Sequence, residues 1–359
     1  MTELSVILPT YNEASNIAAV VDALGAALED IEWEAIFVDD DSPDGTHQVV
    51  RELSRSNPRV RCLHRIGRRG LSSACIEGIQ ASSAAFIAVL DADLQHDERI
   101  LPRMLKTARD DGIDLVVGSR YVDGGGTTNW SENRKFMSQA AIRVARGFSG
   151  LDIKDLTSGF FLANRQAIQP ALRKTSGVGF KILLDILLSA DKPLTVKEMP
   201  YHFRSRQHGE SKLDYQTAWL FLMMLLDKAV GGAIPVRFLS FVFVGGLGVF
   251  VHFAVLSVSY QLLSLSFFWS QMTATLTAMT SNFALNNVLT YTDKRLRGGA
   301  WFRGWVTFVL ACSIGAMANV GVANYFYMED VYWVGAALAG ILVGVVWNYA
   351  ITSVYTWKV

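Results

Sequence analysis

The sequence predicts an α/β domain built on a mostly parallel, doubly wound sheet, followed by an all-α membrane domain of four helices. Three observations predict this. Short apolar runs alternate with helical stretches through the first third of the chain. Acidic and small polar residues cluster where those apolar runs end. Charge then almost vanishes after Arg237. The chain has 33 basic and 33 acidic residues in 359, yet beyond Arg237 only Asp293, Lys294, Arg295, Arg297, Arg303, Glu329, Asp330 and Lys358 are charged.

In chain order, Leu4–Pro9 reads as a buried strand, followed by Thr10-Tyr-Asn-Glu13 and a helix from about Ser15 to Leu28. Ala35–Val38 is a second strand, ending in Asp39-Asp-Asp-Ser-Pro-Asp-Gly45. Thr46–Ser56 reads as a helix and Val60–His64 as a strand. Gly70-Leu-Ser-Ser-Ala74 opens another helix, with Ser72 as its expected cap. Phe86–Leu90 is a strand that runs into Asp91-Ala-Asp-Leu-Gln-His96. A helix from about Arg99 to Asp111 and a strand at Leu115–Gly118 follow. Gly124-Gly-Gly126 reads as a flexible turn. Ser131–Gly150 interleaves Phe136, Ala140, Ile142 and Val144 with Arg134, Lys135, Arg143 and Arg146. That pattern suits either an ordinary surface helix or one lying on a membrane with its cations toward lipid phosphates.

A membrane span needs about 20 mostly apolar residues. The charge-free stretches accommodate four, at roughly 238–262, 267–290, 304–326 and 332–355. The apolar run Ala218–Leu226 is too short to cross, so the helix from Asp214 to Ile234 is expected in the interface, leading into the first span. The domains are thus 1–213, 214–236 and 237–359. Lys294, Arg295, Arg297 and Arg303 fall between spans two and three, whereas Glu329 and Asp330 fall between spans three and four. The positive-inside rule then puts both termini and the α/β domain in the cytoplasm. Met1-Thr2-Glu3 runs straight into a strand without a signal-peptide pattern. Cys62, Cys75 and Cys312 have neither disulfide nor zinc spacing, as suits a reducing compartment. Gly340-x-x-x-Gly344 permits close helix contact and offers a route to a homo-oligomer through the membrane helices.

Zero formal net charge gives no sign of a nucleic-acid partner. No G-x-G-x-x-G follows the first strand and no G-x-x-x-x-G-K-[ST] occurs, so dinucleotide oxidoreductases and P-loop NTPases fit poorly. The informative stretch is Asp91-Ala92-Asp93-Leu94-Gln95. Open α/β sheets bind ligands beyond the carboxyl ends of their strands. Two carboxylates and an amide oxygen there offer hard ligands to Mg²⁺ or Mn²⁺, with substrate phosphates completing the shell.

With Pro9-Thr-Tyr-Asn-Glu13, Val38–Gly45, Gly70–Ala74 and Asp91–His96 together, the chain resembles a family 2 glycosyltransferase of GT-A fold. Gly118-Ser-Arg-Tyr121, Asp155-Leu-Thr-Ser-Gly-Phe-Phe161, Gly179-Phe-Lys-Ile182 and His208-Gly-Glu-Ser-Lys-Leu213 narrow the resemblance to the polyprenyl-phosphate (dolichol-phosphate) mannose synthases. The last 120 or so residues resemble the four-helix membrane domain fused to some of them, which is also found alone as a polyprenyl-sugar flippase type. The resemblance implies that Pro9, Tyr11, Glu13, Val38, Asp40, Asp91, Ala92 and Asp93 hold the nucleotide sugar. Arg206 and Lys212 would reach its diphosphate from a mobile loop, Ser205–Leu213. Asp91, Asp93 and Gln95 would hold the metal. Arg120, Arg134 and Ser138 would receive the lipid phosphate, with Asp93, Arg120 and Arg134 as the catalytic set.

The implied reaction is inverting transfer of a hexose, mannose from GDP-mannose foremost, to a dolichyl or undecaprenyl monophosphate. UDP-glucose or another UDP-hexose is the alternative donor. A phosphate monoester has its second pKa near 6 and arrives ionised, so no enzymic base is required. Thr157-Ser-Gly-Phe160 accordingly lacks an acid, and Asp155 nearby is the alternative base. A transport protein with a regulatory soluble domain is a third reading. Against it, the spans carry no Asp, Glu, Lys or Arg, and intramembrane ionisable groups usually mark transport paths.

Overall fold

A computed structural model describes residues 2–128, 130–177, 179–205, 215–231 and 234–358. The chain separates into two compact units, Met1–Gly232 and Ala233–Val359. In the first unit the strands are β1 (Leu4–Thr10), β2 (Trp33–Asp39), β3 (Val60–His64), β4 (Phe86–Val89), β5 (Leu115–Ser119), β6 (Gly126–Thr127), β7 (Phe161–Asn164), β8 (Val196–Pro200) and β9 (His202–Phe203). Its helices are α1 (Ile17–Ala27), α2 (Thr46–Ser56), α3 (Leu71–Ala81), α4 (Leu101–Asp110), α5 (Glu132–Ser149), α6 (Arg165–Leu172), α7 (Ile182–Ser189) and α8 (Tyr215–Ala229). The second unit holds α9 (Val236–Ser257), α10 (Phe267–Leu285), α11 (Gly299–Met328) and α12 (Trp333–Ile351).

Seven strands form one sheet in the order β3-β2-β1-β4-β7-β5-β8. All neighbours are parallel except β7, which runs antiparallel to both β4 and β5. Strand periodicity divides the core between the two faces. Leu4, Val6 and Leu8 of β1 pack with Leu24, Val50 and Met104 on one side. Ile7, Ile36 and Val38 pack with Ala74, Ile79 and Ile186 on the other. This is the mostly parallel α/β sheet read from the sequence.

Helix α3 crosses β1 and β2 closely at Gly78, where a Cβ would fall 2.4 Å from Ile7 Cγ2 and 2.9 Å from Val38 Cγ2. Both contacts are to buried, β-branched side chains that cannot swing aside. Gly78→Ala is therefore expected to cost about 1–3 kcal/mol through overpacking, read as a lowered Tm of the detergent-purified protein. An unchanged Tm would mean that α3 shifts without strain.

Two local expectations are corrected. Ser72 does not cap α3: the cap is Gly70, and Ser72 is buried with its Oγ donating to Gly179 O at 2.9 Å. The Gly124–Gly126 stretch is a packed feature rather than a loose turn. A Cβ on Gly125 would meet Ser119 O at 2.7 Å, and Gly126–Thr127 pairs in parallel with His202–Phe203.

On α5, Ile142 and Ala145 are buried whereas Phe136, Met137, Val144 and Phe148 are exposed. Helix α8 belongs to the first unit. Its Met224 and Leu225 are buried with Ala145, Ile153, Leu156 and Leu184. Lys228 Nζ also lies 2.7 Å from Oδ1 of the fully buried Asp185 on α7.

In the second unit α9, α11 and α12, with the π-helical turns that extend α9 and α12, are long and apolar enough to cross a membrane. Helix α10 occupies the remaining expected position but is richer in Thr, Ser and Asn. Thr273, Thr277 and Thr280 satisfy their hydroxyls on the carbonyls of residues four earlier, each at 2.8 Å. Such back-bonding lets polar side chains remain in apolar surroundings. One end of this unit is closed by Phe241, Phe283, Tyr291, Phe308 and Trp357. At that end Arg237 pairs with Asp293 at 2.6 Å. Gly340 and Gly344 face α11: Cβ atoms there would meet Asn319 at 2.4 Å and 3.2 Å. The G-x-x-x-G motif is thus used within the chain, which removes it as the expected self-association contact.

Candidate active site

The register of β7 assembles the site. Phe161 pairs with Val89 of β4 on one side and Val117 of β5 on the other. The turn before β7, Thr157–Phe160, therefore lies between the segments that leave β4 (Asp91 onward) and β5 (Arg120 onward). Close approach is built in at Gly118, where a Cβ would sit 2.7 Å from Phe160 Cδ1; Gly159 lies against Asp91, a Cβ there falling at ordinary contact distance, 3.6 Å from Asp91 Oδ2.

Of the expected metal ligands, Asp93 is 3% exposed and its Oδ1 accepts from Gln95 N at 3.1 Å. Gln95 Nε2 donates to Arg204 O at 2.9 Å, leaving Oε1 as the amide atom suited to a cation. Asp91 Oδ2 is 3.2 Å from Nε2 of His96, whose Nδ1 is 3.0 Å from the Tyr201 hydroxyl. His96 is buried among Phe160, Tyr201 and Phe203, which fixes its ring and so one Asp91 oxygen. The donor set is all hard oxygen, as Mg²⁺ or Mn²⁺ requires. A second cluster, Asp39, His47 and His64, brings ligand-type atoms within 4.8 Å of one another. Its two imidazoles stack in parallel at 4.2 Å, so their in-plane lone pairs run side by side instead of converging.

The expected nucleotide residues line the ends of β1 and β2. Pro9 is opposite Val38 in the register. Tyr11 carries the Arg69 guanidinium 4.5 Å over its ring, and Glu13 Oε2 accepts from Asn16 Nδ2 at 2.6 Å. Ala92 is buried beside Asp91 and Asp93. Asp40 is nearly buried, with one oxygen receiving Arg65 Nη1 at 2.5 Å and the other Gly70 N at 2.6 Å. Burial raises its pKa, against the pull of Gly70 and Arg65. Arg206 and Lys212 lie outside the described residues.

The expected lipid-phosphate residues come together around Trp130. Arg120 and Arg134 place their guanidinium carbons 5.3 Å and 4.3 Å from the Trp130 ring. Arg134 and Ser138 are one turn apart on α5, and Ser138 Oγ accepts from the Tyr121 hydroxyl at 2.9 Å. Arg120 is not simply available. Its Nε and Nη2 each donate to Asp155 at 2.7 Å, with both side chains largely buried. Burial works against its charge, yet Asp155 outweighs this and holds the guanidinium firmly protonated.

Residues 5–170 match the family model described as "Glycosyl transferase family 2", and residues 240–357 match "GtrA/DPMS, transmembrane domain". A curated relative named "Dolichol-phosphate mannosyltransferase", from Pyrococcus furiosus, is 33% identical over 363 aligned positions covering 99% of both chains. The chain belongs to glycosyl transferase family 2, among the dolichol-phosphate mannosyltransferases. A relative of the same name from Saccharomyces cerevisiae is 33% identical over 64% of this chain and 87% of its own. Among solved structures, glucosyl-3-phosphoglycerate synthase from Mycobacterium tuberculosis, in complex with Mn²⁺, UDP-glucose and glycerol 3-phosphate, covers 63% of this chain and 80% of its own. Its identity is 18% and its TM-score 0.48.

The site also contains residues that the sequence motifs do not single out. Arg65 pins Asp40, Arg120 and Arg134 both lie within cation–π reach of Trp130, His96 and Tyr201 orient Asp91, and Lys181, just before α7, reaches Thr157 O. Arg65 and Trp130 lie in no motif, and Lys181 lies in Gly179-Phe-Lys-Ile182, to which the resemblance assigns no role.

Proposed function

We propose that this membrane glycosyltransferase transfers mannose from GDP-mannose, with inversion, to a polyprenyl monophosphate at the cytoplasmic face. The observation that carries the proposal is the end-to-end match to the Pyrococcus furiosus dolichol-phosphate mannosyltransferase, which spans both the α/β and the membrane unit. Pro9, Tyr11, Glu13, Val38, Asp40, Asp91, Ala92 and Asp93 hold the nucleotide sugar, with Arg206 and Lys212 at its diphosphate. Asp91, Asp93 and Gln95 would hold Mg²⁺ or Mn²⁺, which would supply charge neutralisation at the leaving diphosphate. By the resemblance Arg134, Ser138 and Arg120 line the acceptor-phosphate pocket, with Arg120 held back by its pairing to Asp155.

The acceptor is its own nucleophile. Asp155, the nearest alternative base, is fully buried and accepts three bonds from Arg120 and one from the Thr157 hydroxyl, which suits a structural role better than that of a base. The protein's work is to bring two anions together and keep them aligned. The exposed apolar arc of α5 (Phe136, Met137, Val144, Phe148) suits a helix lying on the lipid surface. Arg134 then stands at the depth of a lipid headgroup. Four spans follow, and the end of the membrane unit marked by the Arg237–Asp293 pair faces the cytoplasm, by the positive-inside rule.

The test is a donor screen on purified protein with radiolabelled GDP-mannose and UDP-glucose against undecaprenyl and dolichyl phosphate. Label should pass from GDP-mannose to the lipid fraction. Transfer from UDP-glucose instead would keep the chemistry and change the sugar; no transfer to either lipid would overturn the reading.

A further inference from the structure

Lys181 precedes α7 and reaches the turn that joins the site. Its Nζ donates to Thr157 O at 3.3 Å. The same residue's hydroxyl receives Arg120 Nη2 at 3.4 Å, and two positions on, Gly159 lies against Asp91. The Thr157 carbonyl uses one of the ammonium's three donors. No carboxylate lies within ion-pair distance of Lys181 among the described residues, whereas Arg120 is committed through Nε and Nη2 to Asp155. The charged groups around it are Arg120 and Arg134, which repel it, and Asp155 and Asp91, which attract it. Loss of solvation and the neighbouring Arg120 push its pKa down to about 8. A partly buried ammonium with no carboxylate partner, repelled by two arginines, is a costly arrangement that a bound anion would relieve.

We propose that Lys181 is a direct ligand of the acceptor phosphate, so that Lys181 and Arg134, rather than Arg120, supply the charge that holds the dianion. This rests on the reading of the site as a polyprenyl-phosphate transferase. Arg120 then acts as a brace: it joins Asp155 to the Thr157 turn and backs the Trp130 ring. Lys181 is the titrating member of the pair and Arg134 the permanent one.

The experiment is acceptor and donor kinetics from pH 6.5 to 9.5 (about three pH units around the Lys181 value) for wild type, Lys181→Met and Lys181→Arg, with the full chain in detergent and a polyprenyl phosphate as acceptor. At pH 7, Lys181→Met should raise acceptor KM about 10- to 100-fold, the loss of one charge-assisted contact, and leave donor KM within about twofold. Wild-type acceptor KM should climb above about pH 8 as the free ammonium deprotonates. That climb should be absent from Lys181→Met, which starts high, and from Lys181→Arg, which keeps its charge. Calorimetric nucleotide binding by each variant reports folding separately. A wild-type acceptor KM in Lys181→Met, or a donor KM that rises in step, would overturn the assignment while the transferase reading stands. Absence of transfer by wild type to any polyprenyl phosphate would remove both.

Discussion

Asp93→Asn should abolish transfer while leaving the fold almost undisturbed. Asp93 is 3% exposed, and its Oδ1 receives the Gln95 backbone N–H at 3.1 Å. An asparagine oxygen can accept that bond, so the turn keeps its geometry. The negative charge is what disappears. A divalent ion held by two carboxylates and an amide loses half its protein charge, and the leaving diphosphate loses its main electrostatic partner. Removing one preorganised stabilising group typically costs about 10²–10³ in rate. The loss here should be at the upper end or beyond, because the metal goes with it. Excess EDTA should reduce wild type to the same floor. The checks are initial rate, Mn²⁺-dependent nucleotide binding by calorimetry, and Tm. Wild-type activity in Asp93→Asn, or activity that survives EDTA, would remove Asp91, Asp93 and Gln95 as the metal set.

Much of the α/β unit was legible because its strands are buried on both faces and end in recognisable clusters. Leu4–Thr10, Thr46–Ser56 and Val60–His64 stand almost where periodicity puts them. Strands β7 and β8 were not. Phe160-Phe-Leu-Ala163 is an apolar run too short to separate from a helix segment by pattern alone, and nothing local announces that it inserts antiparallel between β4 and β5. That one insertion, however, carries Asp155 to Arg120 and Gly159 to Asp91. Local sequence signals ligand type well and partnership poorly. Asp91, Asp93 and Gln95 declare themselves as oxygen donors, but that Asp155 consumes Arg120, or that Arg65 consumes Asp40, depends on contacts over 25 or more residues. The same holds in the membrane unit. Gly340 and Gly344 advertise close packing, but their partner, Asn319, lies on the preceding helix of the same chain. A boundary at 213 would likewise cut away α8, whose Met224 and Leu225 fill the core beside α7.

Asp155→Asn should lower stability severely and activity indirectly, and the pH profile separates that outcome from loss of a catalytic base. The Asp155 carboxylate is fully buried. It accepts from Arg120 Nε and Nη2, both at 2.7 Å, and from Arg120 N at 3.1 Å. Asparagine preserves the volume but leaves a buried guanidinium facing a neutral amide, with one N–H donor set against another. Breaking a buried pair from one side costs about 3–5 kcal/mol, so Tm should fall by several degrees or more. Removing both charges with Asp155→Asn/Arg120→Gln should recover part of that loss, since the stranded cation goes too. On the chemistry, an acceptor that is its own nucleophile makes the wild-type rate fall below about pH 6, as the phosphate takes its second proton. That acid limb belongs to the substrate, so it should persist in the double variant at a lower plateau. An enzymic carboxylate base would instead lose its acid limb when replaced by an amide. A well-folded, donor-binding Asp155 variant whose residual rate no longer falls toward low pH would make Asp155 the base, and Arg120 the cation that holds it ionised.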